Sequence, residues 1–108
     1  MIKLSEQQTT AQVKAFLQSN GWLLFRLQSG VVQGVTRGTY MTLNKRGTPD
    51  YFAVREKDYF FFEMKASDKK PGPHQEIWFS MASVNGIPCI WADGIDMFLD
   101  KYWKLYPI

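Results

Sequence analysis

Residues 47–65 read GTPDYFAVREKDYFFFEMK. Two runs of strand-forming residues flank the polar tetrapeptide Arg55-Glu56-Lys57-Asp58, a composition that predicts a hairpin turn. Directly opposed residues of an antiparallel pair share a face, and a slip of one residue moves every side chain to the other face. A loop with an even number of residues sets Asp50 opposite Glu63, Phe52 opposite Phe61 and Val54 opposite Tyr59. Lys65 then joins Asp50 and Glu63, because side chains alternate along a strand. The other face carries Tyr51 and Ala53 against Phe62 and Phe60. Both faces are mainly apolar, which predicts a sheet covered on both sides.

Two carboxylates and a lysine at one end of such a pair are costly to bury without a purpose. Converging carboxylates are what a hard divalent cation such as Mg²⁺ needs, since it takes oxygen ligands and keeps several waters. An ammonium beside them makes a metal-plus-cation site suited to a phosphodiester. The plainer alternative is a rim salt bridge between Glu63 and Lys65, with Asp50 capping a turn. The three residues together favour the site.

A chain of 108 residues predicts one domain, 1–108, with a real core. Hydrophobic residues at 45% and aromatics at 16% argue for a folded globule. The net charge of +3 leans mildly towards an anionic partner. Its distribution says more. Arg26, Arg37, Lys45, Arg46, Arg55, Lys57, Lys65, Lys69 and Lys70 stand against five acids between residues 26 and 70. From Pro71 onward Glu76, Asp93, Asp96 and Asp100 outnumber Lys101 and Lys104. Basic charge therefore surrounds the residues 50–65, where a nucleic-acid backbone would lie. The expected contacts are Arg26, Arg37, Lys45, Arg46, Lys69 and Lys70; ordinary surface lysines are the alternative.

Cys89 is the single cysteine, so no internal disulfide forms and a reducing cytoplasm fits. It reads as packing rather than a nucleophile. His74, the one histidine, lacks the partners of a zinc site. No signal peptide and no membrane span is read from the sequence.

Ser5 and Gln8 have the spacing of a capping box, which starts a helix running to Asn20-Gly21. Glu6 sits in its first turn, where the helix dipole alone would account for it. Residues 22–27 form a strand. Residues 28–46 are interrupted by Gly30, Gly34 and Gly38, with 31–32 and 40–43 as short strand pieces; with Arg37, Lys45 and Arg46 this segment reads as a substrate-touching flap. A polar loop over 66–72 leads to Gly72-Pro73, which opens a helix ending at Asn85-Gly86. Gln75 lies at its start. Residues 87–92 form a last strand, and Asp93 is placed to cap a final helix bearing Ile95, Phe98, Leu99 and Tyr102. The aromatic residues 102–106 suit core closure or a subunit contact.

This order resembles the PD-(D/E)XK nuclease fold: α-β-β-β-α-β-α, a mixed sheet flanked by helices in the manner of restriction endonucleases. More narrowly it is similar to the VRR-NUC family. Gly47-Thr48-Pro49-Asp50, Glu63-Met64-Lys65, then Gly72, Gln75, Trp78 and Gly86 stand where that family has Gly-x-Pro-Asp, Glu-x-Lys and a Gly-led Gln helix. The ordered set covers nearly the whole chain, while the glycine-rich segment after the first strand does not match the pattern.

The resemblance implies roles. Asp50 and Glu63 would hold Mg²⁺ or Mn²⁺, helped by the backbone carbonyl of Met64. Lys65 would orient or activate the attacking water and offset transition-state charge. Gln75 would place the water or the phosphate, and Glu6 would be a further catalytic acid and candidate metal ligand. The resemblance also implies a metal-dependent, structure-selective DNA endonuclease of phage or bacterial cytoplasm. Its expected substrate is a branched DNA, a four-way junction resolved by a homodimer. A flap or nicking endonuclease is the alternative within that class. A non-catalytic DNA-binding module and a structural interaction domain are alternatives outside it.

Overall fold

The computed structural model describes residues 2–27 and 47–108, with the backbone of 31–33 and 40–42. The elements run α1 (Glu6–Ser19), β1 (Leu23–Arg26), β2 (Val31–Gln33), β3 (Tyr40–Thr42), β4 (Tyr51–Arg55), β5 (Asp58–Met64), α2 (Pro73–Val84), β6 (Cys89–Ala92) and α3 (Ile95–Leu105). The described residues thus form a small α/β fold with a mixed four-stranded sheet and three helices.

The expected hairpin forms in the expected register. Phe52 pairs with Phe61 and Val54 with Tyr59, while Tyr51 pairs with Phe62 and Ala53 with Phe60. Only Glu56 and Lys57 form the turn, because Arg55 and Asp58 already pair. The sheet order is β1-β4-β5-β6, antiparallel except for β5 with β6. The parallel pair is joined through α2, as a parallel connection requires a crossover. The two short pieces, β2 and β3, pair with each other in a separate two-stranded sheet.

Alternation explains the core. Tyr51, Ala53, Phe60, Phe62, Met64, Ile90 and Ala92 are buried on one face with Val13 and Leu17 of α1 and Phe98 and Tyr102 of α3. Trp22 Nε1 donates to the Tyr102 hydroxyl at 2.9 Å inside this core, which satisfies both polar ends of a large aromatic pair. Tyr106 reaches back so that its hydroxyl donates to the Tyr59 carbonyl at 2.7 Å. Tyr102 and Tyr106 therefore close the core, and Trp103 lies at the surface, 38% exposed.

The opposite face departs from expectation. Trp78 of α2 packs edge-on against Phe61 at 5.2 Å, yet Leu23 and Phe25 of β1 stay 60% and 47% exposed. Covering on both sides thus fails at the β1 edge. A second correction concerns α3. Its N-cap is Gly94 with no side-chain cap, because the Asp93 carboxylate instead accepts from the Asp68 backbone N–H at 3.0 Å. The Ser5–Gln8 capping box of α1 forms in both directions, at 2.8 and 3.1 Å.

Candidate active site

Asp50 immediately precedes β4 and Glu63 is the penultimate residue of β5, so the hairpin register carried one step further sets them level. The Asp50 backbone N–H donates to Glu63 Oε1 at 3.0 Å. Lys65 Nζ lies 3.7 Å from Glu63 Oε2. The Glu63 side chain is 3% exposed and that of Lys65 16%. A buried carboxylate is thus held between a backbone N–H and an ammonium. Met64, between them, turns its side chain into the core.

Burial pushes the Glu63 carboxyl up from 4.5 to about 7, and the neighbouring Asp50 carboxylate pushes the same way. Lys65 and the hydrogen bond from Asp50 pull it down without winning, and Glu6 adds a smaller upward push. Two acids near one buried point favour the proton unless another positive charge arrives. A cation that binds there competes with that proton.

The first helix is fastened to this end of the sheet by contacts that the sequence reading did not single out. Thr9 Oγ1 donates to the Lys65 carbonyl at 2.9 Å. The Leu4 N–H donates to Ser67 Oγ at 2.8 Å, and the Ser67 N–H returns to the Leu4 carbonyl at 2.9 Å. Lys3 pairs with Asp68 beside them. These clamps bring Glu6 and Asp50 to the wall of one cavity of about 450 Å³, which Lys14, Arg26 and Tyr51 also line. A signal for Thr9 existed: it falls on the buried stripe of α1 with Val13 and Leu17, where a polar residue needs a partner.

Gln75 is less plainly placed for chemistry. Its Oε1 accepts from the Gly72 backbone N–H at 3.1 Å, so it caps α2, which leaves Nε2 to donate. The turn before Asp50 is seated against the same helix start. Gly47 has φ +91°, and a Cβ there would stand 2.2 Å from the His74 carbonyl oxygen. Only glycine fits that approach, and Pro49 behind it is fully buried.

Lys69 and Lys70 are exposed on the loop after β5, and Arg26 is exposed at the cavity. Arg37, Lys45 and Arg46, with the flap expected over 28–46, lie outside the described residues apart from the backbone of β2 and β3. The Cys89 thiol is half-buried and pushed up by burial, partly offset by Lys101. That is the behaviour of a packing residue.

Among the described residues no three of His, Cys, Asp and Glu gather as a metal cluster. Mg²⁺ needs only one or two carboxylates when it keeps its waters. Asp50, Glu63 and the Met64 carbonyl are hard oxygen donors, and a divalent ion would offset the burial and the neighbouring Asp50 charge that raise Glu63. The residues fit such an ion. No helix among the described residues is long and apolar enough to cross a membrane. Comparison of the chain with protein-family models, with curated proteins and with solved structures gave no match.

Proposed function

We propose that this chain is a divalent-metal-dependent, structure-selective DNA endonuclease with a PD-(D/E)XK core of the VRR-NUC kind. The observation that carries the reading is the convergence of Asp50, Glu63 and Lys65. Glu63 accepts from the Asp50 N–H at 3.0 Å and lies 3.7 Å from Lys65 Nζ, in a position closed to solvent. A cavity lined by Glu6, Asp50, Lys14 and Arg26 adjoins it. Single residues of these types are common at surfaces; a buried acid with a second acid and a lysine at one strand end is not.

Asp50, Glu63 and the Met64 carbonyl would hold Mg²⁺ or Mn²⁺, which when bound supplies Lewis-acid stabilisation of charge on the phosphoryl oxygens. The protein's own groups do the rest. Lys65, fixed by Glu63 on one side and by the Thr9 bond to its carbonyl on the other, directs its ammonium at the attacking water and at the growing negative charge. Gln75 offers its amide N–H to a phosphate oxygen while its Oε1 stays on Gly72. Glu6, at the cavity rim, orients water. A water then attacks in line, one P–O bond forms and the opposite P–O bond breaks, and the departing sugar oxygen takes a proton. The substrate is branched DNA, a four-way junction cut by a homodimer or, as the alternative, a flap.

One observation favours a non-catalytic DNA-binding module instead. Among the described residues every buried side-chain polar atom already has a partner, so the site is complete as a structural unit. Labelled four-way junction, flap and linear duplex incubated with Mg²⁺, Mn²⁺ or EDTA separate the two. Divalent-dependent cleavage of the branched substrates is expected, abolished by Asp50→Asn and by Lys65→Ala while DNA binding survives. Binding without cleavage in every divalent ion would leave the module.

A further inference from the structure

The cavity beside the carboxylates is lined by two acids, Glu6 and Asp50, and by two cations, Lys14 and Arg26, with Tyr51. Lys14 Nζ lies 5.6 Å and the Arg26 guanidinium carbon 5.9 Å from the centre of the same Tyr51 ring. That ring is fixed: Tyr51 is 9% exposed and stacks on Phe62 at 5.0 Å with the planes 11° apart. Among the described residues neither cation has a carboxylate within ion-pair distance. Two cations held on one rigid aromatic support, in a concave wall and without an ion-pair partner among the described residues, make a seat for an anion.

Its distance from the acids sets what that anion belongs to. Lys14 follows Glu6 by eight residues on α1, an axial separation of about 12 Å. A stacked strand advances about 3.4 Å per nucleotide. Arg26 pairs with Tyr51, next in sequence to Asp50, so the two cations close the cavity from the α1 side and from the β1 side.

We propose, building on the nuclease reading, that Lys14 and Arg26 seat a phosphate of the cleaved strand about two to four nucleotides from the cut. The site therefore takes a polynucleotide with an extended flank on one side of the broken bond, and works poorly on a diester that ends at the cut. The strand lies along α1, its scissile phosphate by Asp50 and Lys65 and a neighbouring phosphate between the two cations. Lys14 and Arg26 are positioning residues: they bind ground and transition states alike, so they lower KM and leave kcat.

The test uses the full chain and a fluorescein-labelled oligonucleotide, as duplex and as single strand, with anisotropy read in EDTA across a salt series. Lys14→Gln and Arg26→Gln each weaken binding about tenfold and flatten the slope of log affinity against log salt by about one. Lys104→Gln, a charge-matched change in the last turn of α3, leaves both as they were, and thermal melts verify that all variants fold. In cleavage the same two variants raise KM at unchanged kcat, and shortening the flank on one side of the cut raises KM for the wild type alone. Variants that bind as tightly as the wild type overturn the seat, as does an equal loss with Lys104→Gln. If both variants bind weakly while the wild type cleaves nothing in Mg²⁺ or Mn²⁺, the seat stands and the nuclease reading falls. If the wild type does not bind the oligonucleotides at all, both fall.

Discussion

Glu63 is 2% exposed, and burial, seconded by the nearby Asp50 charge, pushes its carboxyl up to about 7. Its folded value lies above the unfolded 4.5, so the native state keeps the proton longer. Stability is therefore lost as pH rises from about 4.5 through about 7, and the full cost stands above that window. A shift of this size corresponds to at most about 3 kcal/mol. Glu63→Gln keeps an oxygen for the Asp50 N–H and removes the charge, so it stabilises the protein at about pH 8 and changes little at about pH 4. Urea denaturation at the two pH values checks this; equal effects at both would contradict it. The same proton predicts that Mn²⁺ affinity climbs as pH rises through about 7 and then levels off, read by titration calorimetry. An affinity flat across that range would remove Glu63 from the ligand set. Asp50, Glu63 and Lys65 were legible in the sequence because strand alternation has a period of two and needs only the parity of the loop. Thr9 showed only as a polar residue on the buried stripe of α1; its bond to the Lys65 carbonyl spans 56 residues, so the partner was not legible.

The elements carry strain where turns bring the site together. Glu56 has φ 57° in a two-residue hairpin turn, the first central position, where glycine is favoured in a turn of type II′. Glu56→Gly is expected to raise stability by about 0.5–1 kcal/mol. The turn is at the far end of the hairpin from Asp50, so divalent binding stays the same; a lower melting temperature would count against the assignment. Gly47→Ala has the opposite sign. A methyl 2.2 Å from the His74 carbonyl at φ +91° forces the turn before Asp50 away from α2, with a loss of more than about 2 kcal/mol. Weaker Mn²⁺ binding accompanies it, because Asp50 moves with the turn. Helix starts and the hairpin were readable from capping spacing and from polar residues between strand runs. The start of α3 was misread because Asp93 looks like a cap locally, while its carboxylate is taken by the Asp68 N–H across the fold. The strand order β1-β4-β5-β6 was equally hidden, since element order along the chain does not say which strand takes the edge.

At the scale of the molecule, one chain of 12.6 kDa carries one set of Asp50, Glu63 and Lys65. Lys14 and Arg26 lie on the α1 and β1 side of that set, and Lys69 and Lys70 on the loop that follows β5. On the proposed nuclease reading, a strand crossing the site would meet Lys14 and Arg26 in the cavity that Asp50 lines. Resolving a four-way junction needs two such sites related by a two-fold axis, and a closed dimer supplies them. This makes paired cutting a mass-action quantity. Mixing wild-type protein with Asp50→Asn at constant total concentration, after subunit exchange, leaves a fraction of wild-type dimers equal to the square of the wild-type share. Resolved product from the junction falls with that square, while singly nicked junction rises to a maximum in the mixtures. A monomeric flap or nicking enzyme gives instead a linear fall with no nicked maximum, because each copy acts alone. Native gels of a circular plasmid bearing an extruded four-way junction, read for linear against nicked product, separate the two curves. A linear dependence would exclude the dimeric resolvase without touching the chemistry proposed for Asp50, Glu63 and Lys65, since on that reading each copy carries a full set for one cut.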